Sequence, residues 1–274
     1  MKKHTLLWKI EGKQLPAASY LFGTMHVKDK RAFRFQEQVY TKIQECTAFA
    51  TEFNFEEIEN GISAESMDLP DGQTLDTLIP PKKYKKINKI FKKAVGVDLA
   101  MFNTGLPILI TNVLSERILS ADMPHSLDMH LFQFAKEQEK ITLGIETYQE
   151  QLDILKKIPI DFQIKSLLWA GKNFKRFRKQ LLTTTKVYES ANINKIYKAA
   201  HKSSKGLRKL LLFDRNVIMA DRIAAMAKEQ GIFCAIGAGH LGGKKGVIRL
   251  LKQAGLKVKP VSNPSHVNDI AQEN

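Results

Sequence analysis

Long apolar runs are missing from this sequence. The longest, such as Leu106–Ile110, are far shorter than the roughly 20 residues needed to cross a bilayer. After Lys2 and Lys3, the apolar segment Leu6–Trp8 is shorter than the core of about 7–15 residues that a signal peptide requires. We therefore expect no transmembrane segment, and either a cytoplasmic protein or the mature form of an exported protein whose signal has been removed.

Cysteine is also scarce, and the usual reactive motifs are missing. The 274 residues contain only Cys46 and Cys234, with no CxxC pair, which excludes the common sulfur-rich zinc sites. The apolar neighbours of each cysteine favour buried free thiols. No GxSxG elbow or P-loop is present, so serine-hydrolase and nucleotide-hydrolase mechanisms lack their motifs. The content of 43% hydrophobic and 26% charged residues is that of a globular protein.

Acidic residues are outnumbered by basic ones, with 28 Asp and Glu against 43 Lys and Arg and a net charge of +15. The excess is concentrated in the middle of the chain, in segments such as 82–86 and 172–179. Such charge attracts nucleic acid, anionic membranes or acidic partners. However, Ile87, Ile90 and Phe91 follow the first segment at helical spacing, which favours the solvated face of an amphipathic helix. We expect no specific nucleic-acid partner, and a docking surface is the alternative.

The hydrophobic pattern predicts an α/β fold. It comprises a mixed central sheet built from both ends of the chain, flanking helices, and a largely helical insertion over residues 72–206 within a single domain of residues 1–274. In the insertion, Phe162–Leu182 has the periodicity of one continuous helix. The predicted strands are Leu6–Ile10, Ser19–Phe22, Ala48–Thr51, Ile141–Ile145, Ile232–Ile236 and Leu256–Val261.

Two matching tetrapeptides are the most informative feature that is present. Gly23–His26 and Gly237–His240 each follow a short apolar, strand-like run and end in a histidine. Glycine permits a tight turn at the end of a strand, and the strand then fixes the position of the histidine. The repetition predicts two imidazoles that hold one metal ion, although two unrelated strand-end histidines would give the same pattern.

Two glutamates share the predicted location of the histidines. Glu52 and Glu146, like His26 and His240, each lie just past the carboxyl end of a predicted strand. In open α/β sheets this edge is where ligands bind. Two imidazoles and two carboxylates suit a divalent transition metal such as Mn, Co, Zn or Fe, with one carboxylate left as a general base. A surface carboxylate is the alternative for each glutamate taken singly.

An amide in a predicted helix, Leu207–Gln230, adds a fifth candidate. Asn216 lies within the apolar stripe of this helix, and Arg215 lies beside it. Burying an amide without partners costs about 1–3 kcal/mol, so Asn216 must find hydrogen bonds. It either ties the helix to the sheet or orients a ligand or substrate.

One glycine motif needs a separate interpretation. Gly237–Gly242 satisfies GxGxxG between a strand and a helix, as a dinucleotide site requires. However, too few residues follow it to complete a mononucleotide-binding half, and the next strand ends without an acidic residue for the ribose. His240 also occupies a position where the backbone should approach a pyrophosphate. We therefore do not expect a dinucleotide cofactor.

Several short segments form an ordered series along the chain: Leu7–Ile10, Ser19–His26, Glu52, Ser126–Asp128, Leu143–Thr147 with Gln151, Asp214–Asn216 and Gly237–Leu241. Together they resemble the TraB/GumN family. The resemblance extends over nearly the whole chain, and the order of several motifs makes it specific. This family includes the Tiki-type proteases, which are metal-dependent and use two GxxH motifs with a glutamate. It belongs to a wider group with haem-binding and erythromycin-esterase-like members.

The resemblance implies roles for the candidate residues. His26 and His240 would be metal ligands, and Glu52 a metal ligand or the general base. Glu146, Arg215 and Asn216 would complete the site: Glu52 or Glu146 would take a proton from water, and Arg215 or Asn216 would steady the oxyanion.

The expected function is accordingly a metal-dependent hydrolase, with a peptide bond as its target and a peptide or protein substrate as its partner. A non-catalytic protein that binds a small ligand such as haem in the same pocket is the alternative. The sequence leaves a homo-oligomer open.

Overall fold

A six-stranded mixed sheet with the strand order β4-β3-β5-β2-β1-β6 organises the fold, which confirms the predicted α/β class. The structure, a computed structural model, describes residues 4–59, 67–204 and 206–262. The strands are β1 (Leu7–Glu11), β2 (Ser19–Thr24), β3 (Ala48–Thr51), β4 (Ile141–Gly144), β5 (Ile232–Gly237) and β6 (Lys257–Pro260).

Helices cover the sheet and build the middle of the chain. They are α1 (Gln36–Gln44), α2 (Glu56–Glu59), α3 (Leu75–Leu78), α4 (Pro81–Val95), α5 (Pro107–Ile118), α6 (Leu127–Glu137), α7 (Tyr148–Lys156), α8 (Ile160–Lys172), α9 (Phe174–Glu189), α10 (Ile193–Ser203), α11 (Asp214–Glu229) and α12 (Val247–Gln253). Across the helices of the three described ranges, none has both the length and the apolarity to cross a membrane.

Four neighbouring strands, β4, β3, β5 and β2, run parallel, while β1 is antiparallel to both β2 and β6. The residues of β2 and β3 are buried throughout, as is typical of strands covered on both faces. Thr24 pairs with Gly237, and Thr51 pairs with Gly144, so the four parallel strands end side by side. We call this side of the sheet the carboxyl edge. It gathers the segments that follow β2, β3, β4 and β5.

The buried apolar side chains form two clusters. One surrounds the sheet and includes side chains of α1, α6, α11 and α12. The other lies within the helical middle region, where it joins α3, α4, α5, α8 and the first turn of α9. Helix α6 and the following strand β4 thus pack with the sheet, although they belong to the predicted insertion. The insertion therefore contributes both an apolar core of its own and one strand of the sheet.

The predicted continuous helix over residues 162–182 is broken. Asn173 leaves the helical conformation between α8 and α9, with φ −116° and ψ 38°. Its side-chain amide donates to the carbonyl oxygen of Trp169 at 3.2 Å. Short polar side chains compete with helical hydrogen bonds in this way, a local effect that apolar periodicity does not register. The break allows Phe174 and Phe177 to pack into the same apolar cluster.

Gly23 allows the two GxxH segments to approach each other closely. A Cβ atom on Gly23 would lie 2.5 Å from Leu241 Cδ1 and 3.0 Å from the Cα of Ala238. The carbonyl oxygen of Gly23 also accepts a hydrogen bond from the buried Tyr188 hydroxyl at 2.8 Å. The first glycine of the first motif is therefore needed for packing against the second motif.

We predict that Gly23→Ala lowers the free energy of unfolding by about 1–3 kcal/mol, the usual cost of inserting a methyl group into a packed core. Gly105→Ala is the control, because its new Cβ would meet only the Phe102 carbonyl oxygen at 3.5 Å. Urea denaturation of both variants checks this. An equal loss at both positions would contradict the proposed close approach.

Candidate functional site

The four predicted site residues all lie at the carboxyl edge. Glu52 directly follows β3, His26 and Glu146 come two residues after β2 and β4, and His240 comes three residues after β5. The segments differ in shape, however. Met25 and His26 lie in an irregular segment in which Val27 N–H bonds to the Met25 carbonyl oxygen at 2.8 Å, whereas Ala238–His240 forms a short 3-10 helix. The second histidine is therefore turned into the protein, and the first remains largely in solvent.

His240 is buried and held in one orientation. Its Nδ1 lies 2.6 Å from Asn216 Oδ1, and the amide nitrogen of Asn216 donates to the Lys245 carbonyl oxygen at 2.7 Å. Because that amide nitrogen is occupied, Asn216 presents its oxygen as an acceptor, and His240 carries its proton on Nδ1. Nε2 then has a free lone pair, 3.9 Å from Glu52 Oε1. Asn216 thus ties α11 to the following loop and also orients the histidine.

Burial decides the charge state of His240. It lowers the pKa of the imidazole to about 4, against the opposing influence of Glu52. The ring is therefore neutral near pH 7, which is the form that binds metals.

Glu52 joins three parts of the carboxyl edge. Its Oε1 accepts the backbone N–H of Gly237 at 2.8 Å, and its Oε2 accepts Arg215 Nη2 at 2.7 Å and Gln151 Nε2 at 3.2 Å. Burial alone would raise its pKa, but the charge of Arg215, followed by His240 and the Gly237 N–H, lowers it to about 2. Glu52 is therefore ionised across the physiological pH range.

Glu146 shares Arg215 and Gln151 with Glu52, and both of its carboxylate oxygens accept hydrogen bonds. Arg215 Nε lies 3.0 Å from Oε1, Arg215 Nη2 lies 2.5 Å from Oε2, and Gln151 Nε2 donates to Oε2 at 3.1 Å. The side chain of Glu146 is 1% exposed. Thr147 and Glu150 form a capping box that starts α7 immediately after it and so places Gln151 beside both glutamates. This geometry favours a role for Glu146 in fixing Arg215.

His26 lies at the same edge but faces other partners. Its Nδ1 is 3.6 Å from Asp128 Oδ2, and its Nε2 is 3.6 Å from Glu116 Oε1. Asp128, followed by Glu116, raises the pKa of His26 to about 10. Asp128 accepts the Thr24 hydroxyl on Oδ1, whereas its buried Oδ2 accepts no hydrogen bond from any described residue. The side chain of His26 is 61% exposed, in contrast to that of His240.

Both histidines thus show the same arrangement. In each, Nδ1 faces a protein oxygen, from Asn216 or Asp128, and Nε2 faces a glutamate. At His240 the Nδ1 contact is a hydrogen bond of 2.6 Å, the usual means by which proteins orient metal-binding histidines, whereas at His26 it is an ion pair of 3.6 Å.

The side chains at the carboxyl edge provide some of the ligand atoms that a metal ion needs, but not a complete set. Within residues 4–59, 67–204 and 206–262, no three His, Cys, Asp or Glu side chains are arranged to hold one ion. His240 and Glu52 nevertheless supply a neutral imidazole nitrogen and an ionised carboxylate that face each other. Asp128 Oδ2 beside His26, which accepts no hydrogen bond from the described residues, is a second feature that a bound cation or a protonated histidine would satisfy. These nitrogen and oxygen donors suit a transition metal.

Two cavities open at the carboxyl edge and share Thr24, Met25 and Gly237. One, of about 510 Å³, is lined by His26, Glu52, Glu116 and Asp128, among others. The other, of about 760 Å³, extends between α9 and α10 and ends at His240. Glu146, Arg215 and Asn216 line neither cavity. They support the site indirectly: Glu146 binds Arg215, Arg215 binds Glu52, and Asn216 binds His240.

The chain is similar to known proteins over most of its length. A model of the TraB/PrgY/gumN family matches residues 6–260. The chain belongs to the TraB/PrgY/gumN family. This confirms the family that the motifs resemble, over nearly the full chain.

Curated relatives of this TraB/PrgY/gumN protein include three named metalloproteases. Metalloprotease TIKI1 of Danio rerio is 26% identical, with 96% of this chain and 65% of the relative covered. Metalloprotease TIKI2 of Xenopus tropicalis is 23% identical, with 98% and 64% covered. Metalloprotease TIKI2 of Danio rerio is 23% identical, with 93% and 61% covered. The chain thus spans slightly less than two thirds of each relative. No solved structure matches it significantly.

The sequence analysis gave no role to three residues that contact the site. Gln151 and Asp128 occur within the family-like motifs, but their partners depend on how α6 and α7 pack at the carboxyl edge. Glu116 lies on α5, far along the chain from His26, and looks in the sequence like any charge on a helix. Only the packing of the helical middle region against the edge brings it to His26.

We predict that Arg215→Met destabilises the protein by about 3–5 kcal/mol, because it leaves the Glu52 and Glu146 carboxylates without their buried cation. Arg222→Met is the control. Arg222 lies on α11 like Arg215 and pairs with Glu150 of α7, but both side chains of that pair are about 40% exposed, so about 0–1 kcal/mol is expected. Denaturant titrations measure both. Similar losses would contradict the distinct role of the buried cluster.

Proposed function

We propose that this protein is a metal-dependent peptidase whose divalent transition metal, such as Mn, Co, Zn or Fe, is held by His26, His240 and Glu52. The observation that carries the proposal is the buried, neutral His240, whose Nδ1 proton is held by Asn216 and whose Nε2 faces the ionised Glu52. His26 is the third donor, and to bind it gives up its contacts with Asp128 and Glu116. When bound, such a metal polarises a carbonyl and lowers the pKa of a bound water.

The carboxylates of the site divide into two roles. Glu52, with a pKa of about 2, is a poor match for a general base working near neutral pH but a good anionic ligand. Glu116 is half-exposed, lines the same cavity and lies beside His26, so we assign the base to it. Its carboxylate would take the proton from the attacking water.

Arg215 and Glu146 hold Glu52 in position. The guanidinium binds both carboxylates, and Gln151 bridges the same two oxygens from α7. These hydrogen bonds fix Oε2, the oxygen of Glu52 that does not face His240. Because Arg215 lines neither cavity, its contribution to catalysis is to orient Glu52 rather than to contact the oxyanion.

A peptide bond is the proposed target, because the curated relatives are named metalloproteases and because the two joined cavities leave room on both sides of Glu52 and His240. The apolar cavity beside His240 also favours a second candidate, a protein that binds a small ligand such as haem without catalysis.

We predict that His240→Ala and His26→Ala each lower the bound metal and abolish metal-dependent peptide cleavage, because each removes a nitrogen ligand. Glu116→Gln should keep its metal but lose about 10²-fold or more in kcat, because only the base is lost. Metal analysis of the purified variants and cleavage of a quenched-fluorescent peptide library measure the two effects separately.

The exposed His125 provides the control, and His125→Ala should retain both metal and activity. Full activity in the His26→Ala, His240→Ala double variant would reject the metal mechanism. A Soret band on adding haem, lost in His240→Ala, together with no cleavage by any metal-loaded form, would favour the ligand-binding alternative.

A further inference from the structure

A groove between α9 and α10 leads from the protein surface to His240. It encloses about 760 Å³, and its floor consists of the segments after β2 and β5. Its apolar lining comes from several elements: Met25, Val187, Ile196, Ala199, Ala200 and Leu212. Part of this lining is buried yet faces the cavity, so it offers apolar surface to an extended ligand. We call this feature the α9–α10 groove.

Three cations border the α9–α10 groove. Arg176 and Lys179 lie on α9, and Lys202 lies on α10. All three are exposed, and within the described part of the chain none of them pairs with a carboxylate. Among the described residues that line the groove there is also no Asp or Glu. The positive charge along its border is therefore uncompensated and available to a ligand.

The groove continues across the carboxyl edge into the smaller cavity. The two share Thr24, Met25 and Gly237, and the smaller one contains Glu52 and His26. A chain lying in the groove would therefore reach the proposed metal ligands at its inner end. The two sides differ in charge, because the smaller cavity is bordered by Glu116 and Asp128 whereas the groove has only cations.

We propose that the α9–α10 groove is the substrate cleft of the peptidase site, and that it selects polypeptide segments with acidic residues on one side of the scissile bond and an apolar residue beside it. The inference rests on the proposed function. The apolar residue would pack on the lining near His240, and the acidic side chains would lie against Arg176, Lys179 and Lys202.

The lining favours a peptide over nucleic acid. Single-stranded nucleic acids bind by stacking their bases on exposed aromatic rings. Tyr188 is the one aromatic residue among the described lining residues, and it is 2% exposed with its hydroxyl bonded to Gly23. Aliphatic side chains with cations at the border suit apolar and acidic peptide residues instead.

Peptide binding tests the proposal independently of catalysis. Three pools of fluorescein-labelled decapeptides, each with Leu at the centre and otherwise rich in Glu, Gln or Lys, are titrated by fluorescence anisotropy into the full chain treated with a chelator. We expect the Glu pool to bind at least about tenfold more tightly than the Gln pool. Its affinity should fall as salt rises from about 50 to 200 mM, because exposed charges are then screened.

A matched pair of triple variants tests whether the acidic peptide binds in the α9–α10 groove. Arg176→Glu, Lys179→Glu and Lys202→Glu together should weaken binding of the Glu pool about tenfold or more. The control variant removes the same charge from the same two helices outside the groove, through Lys175→Glu, Arg178→Glu and Lys195→Glu. It should keep most of its affinity for the Glu pool. Equal losses in the two variants would mean attraction by net charge alone and would overturn the proposal.

Cleavage separates this inference from the proposed function. If a quenched-fluorescent library is cleaved, Glu-containing peptides should be preferred and the groove variant should raise KM more than it lowers kcat. Metal-dependent cleavage that is indifferent to Glu would overturn the substrate preference and leave the peptidase intact. Groove-specific binding of the Glu pool without any cleavage would reject the peptidase and keep the groove as an acidic-peptide site.

Tighter binding of a thymidine 20-mer than of the Glu pool, lost in the groove variant, would overturn the proposal in favour of nucleic acid.

Discussion

The carboxyl edge depends on the ion cluster around Glu52 more than on any other polar interaction. One oxygen of Glu52 is bound by the backbone of β5 through Gly237, and the other by Arg215 of α11 and Gln151 of α7. Glu52 itself directly follows β3. A single side chain thus ties two central strands to two helices, at the point where four parallel strands end. Removing Arg215 would leave the buried Glu146 carboxylate and the part-buried Glu52 carboxylate uncompensated, which is why this cluster is expected to be sensitive to change.

The two GxxH segments are alike in sequence but not in structure, and the difference has a physical origin. Thr24 and Gly237 are paired in neighbouring parallel strands. After Thr24 the chain makes a tight turn around His26, whereas after Gly237 it forms the short 3-10 helix Ala238–His240. His240 is therefore buried and neutral, whereas His26 is exposed beside two carboxylates that raise its pKa. The proposed site thus combines a fixed ligand on β5 with a more accessible one after β2.

Much of the fold and part of the site could be predicted from the sequence. Short apolar runs identified the strands, and the rule that ligands bind at the carboxyl edge located His26, Glu52, Glu146 and His240 together. An amide within an apolar helical stripe identified Asn216 as a buried, hydrogen-bonded residue. These inferences depend on local patterns, which the sequence carries directly.

The remaining features could not be predicted because they depend on packing between distant segments. Helix α5 brings Glu116 to His26, and the break at Asn173 sets α9 as a separate helix against α10. The direction in which His26 faces follows from the local turn between Met25 and Val27, about which hydrophobic periodicity says nothing. The basic middle segment shows the same limit. Its basic residues all look like solvated charges in the sequence, and the sequence does not show that three of the exposed cations, on α9 and α10, border the groove that reaches His240.

Anomalous diffraction at the manganese absorption edge, from crystals grown with Mn²⁺, tests the central claim most directly. The account predicts one anomalous peak bonded to His240 Nε2 and Glu52 Oε1 at about 2.0–2.2 Å, with His26 turned towards it. A fully occupied Mn²⁺ elsewhere on the protein, with His240 and Glu52 left without metal, would contradict it.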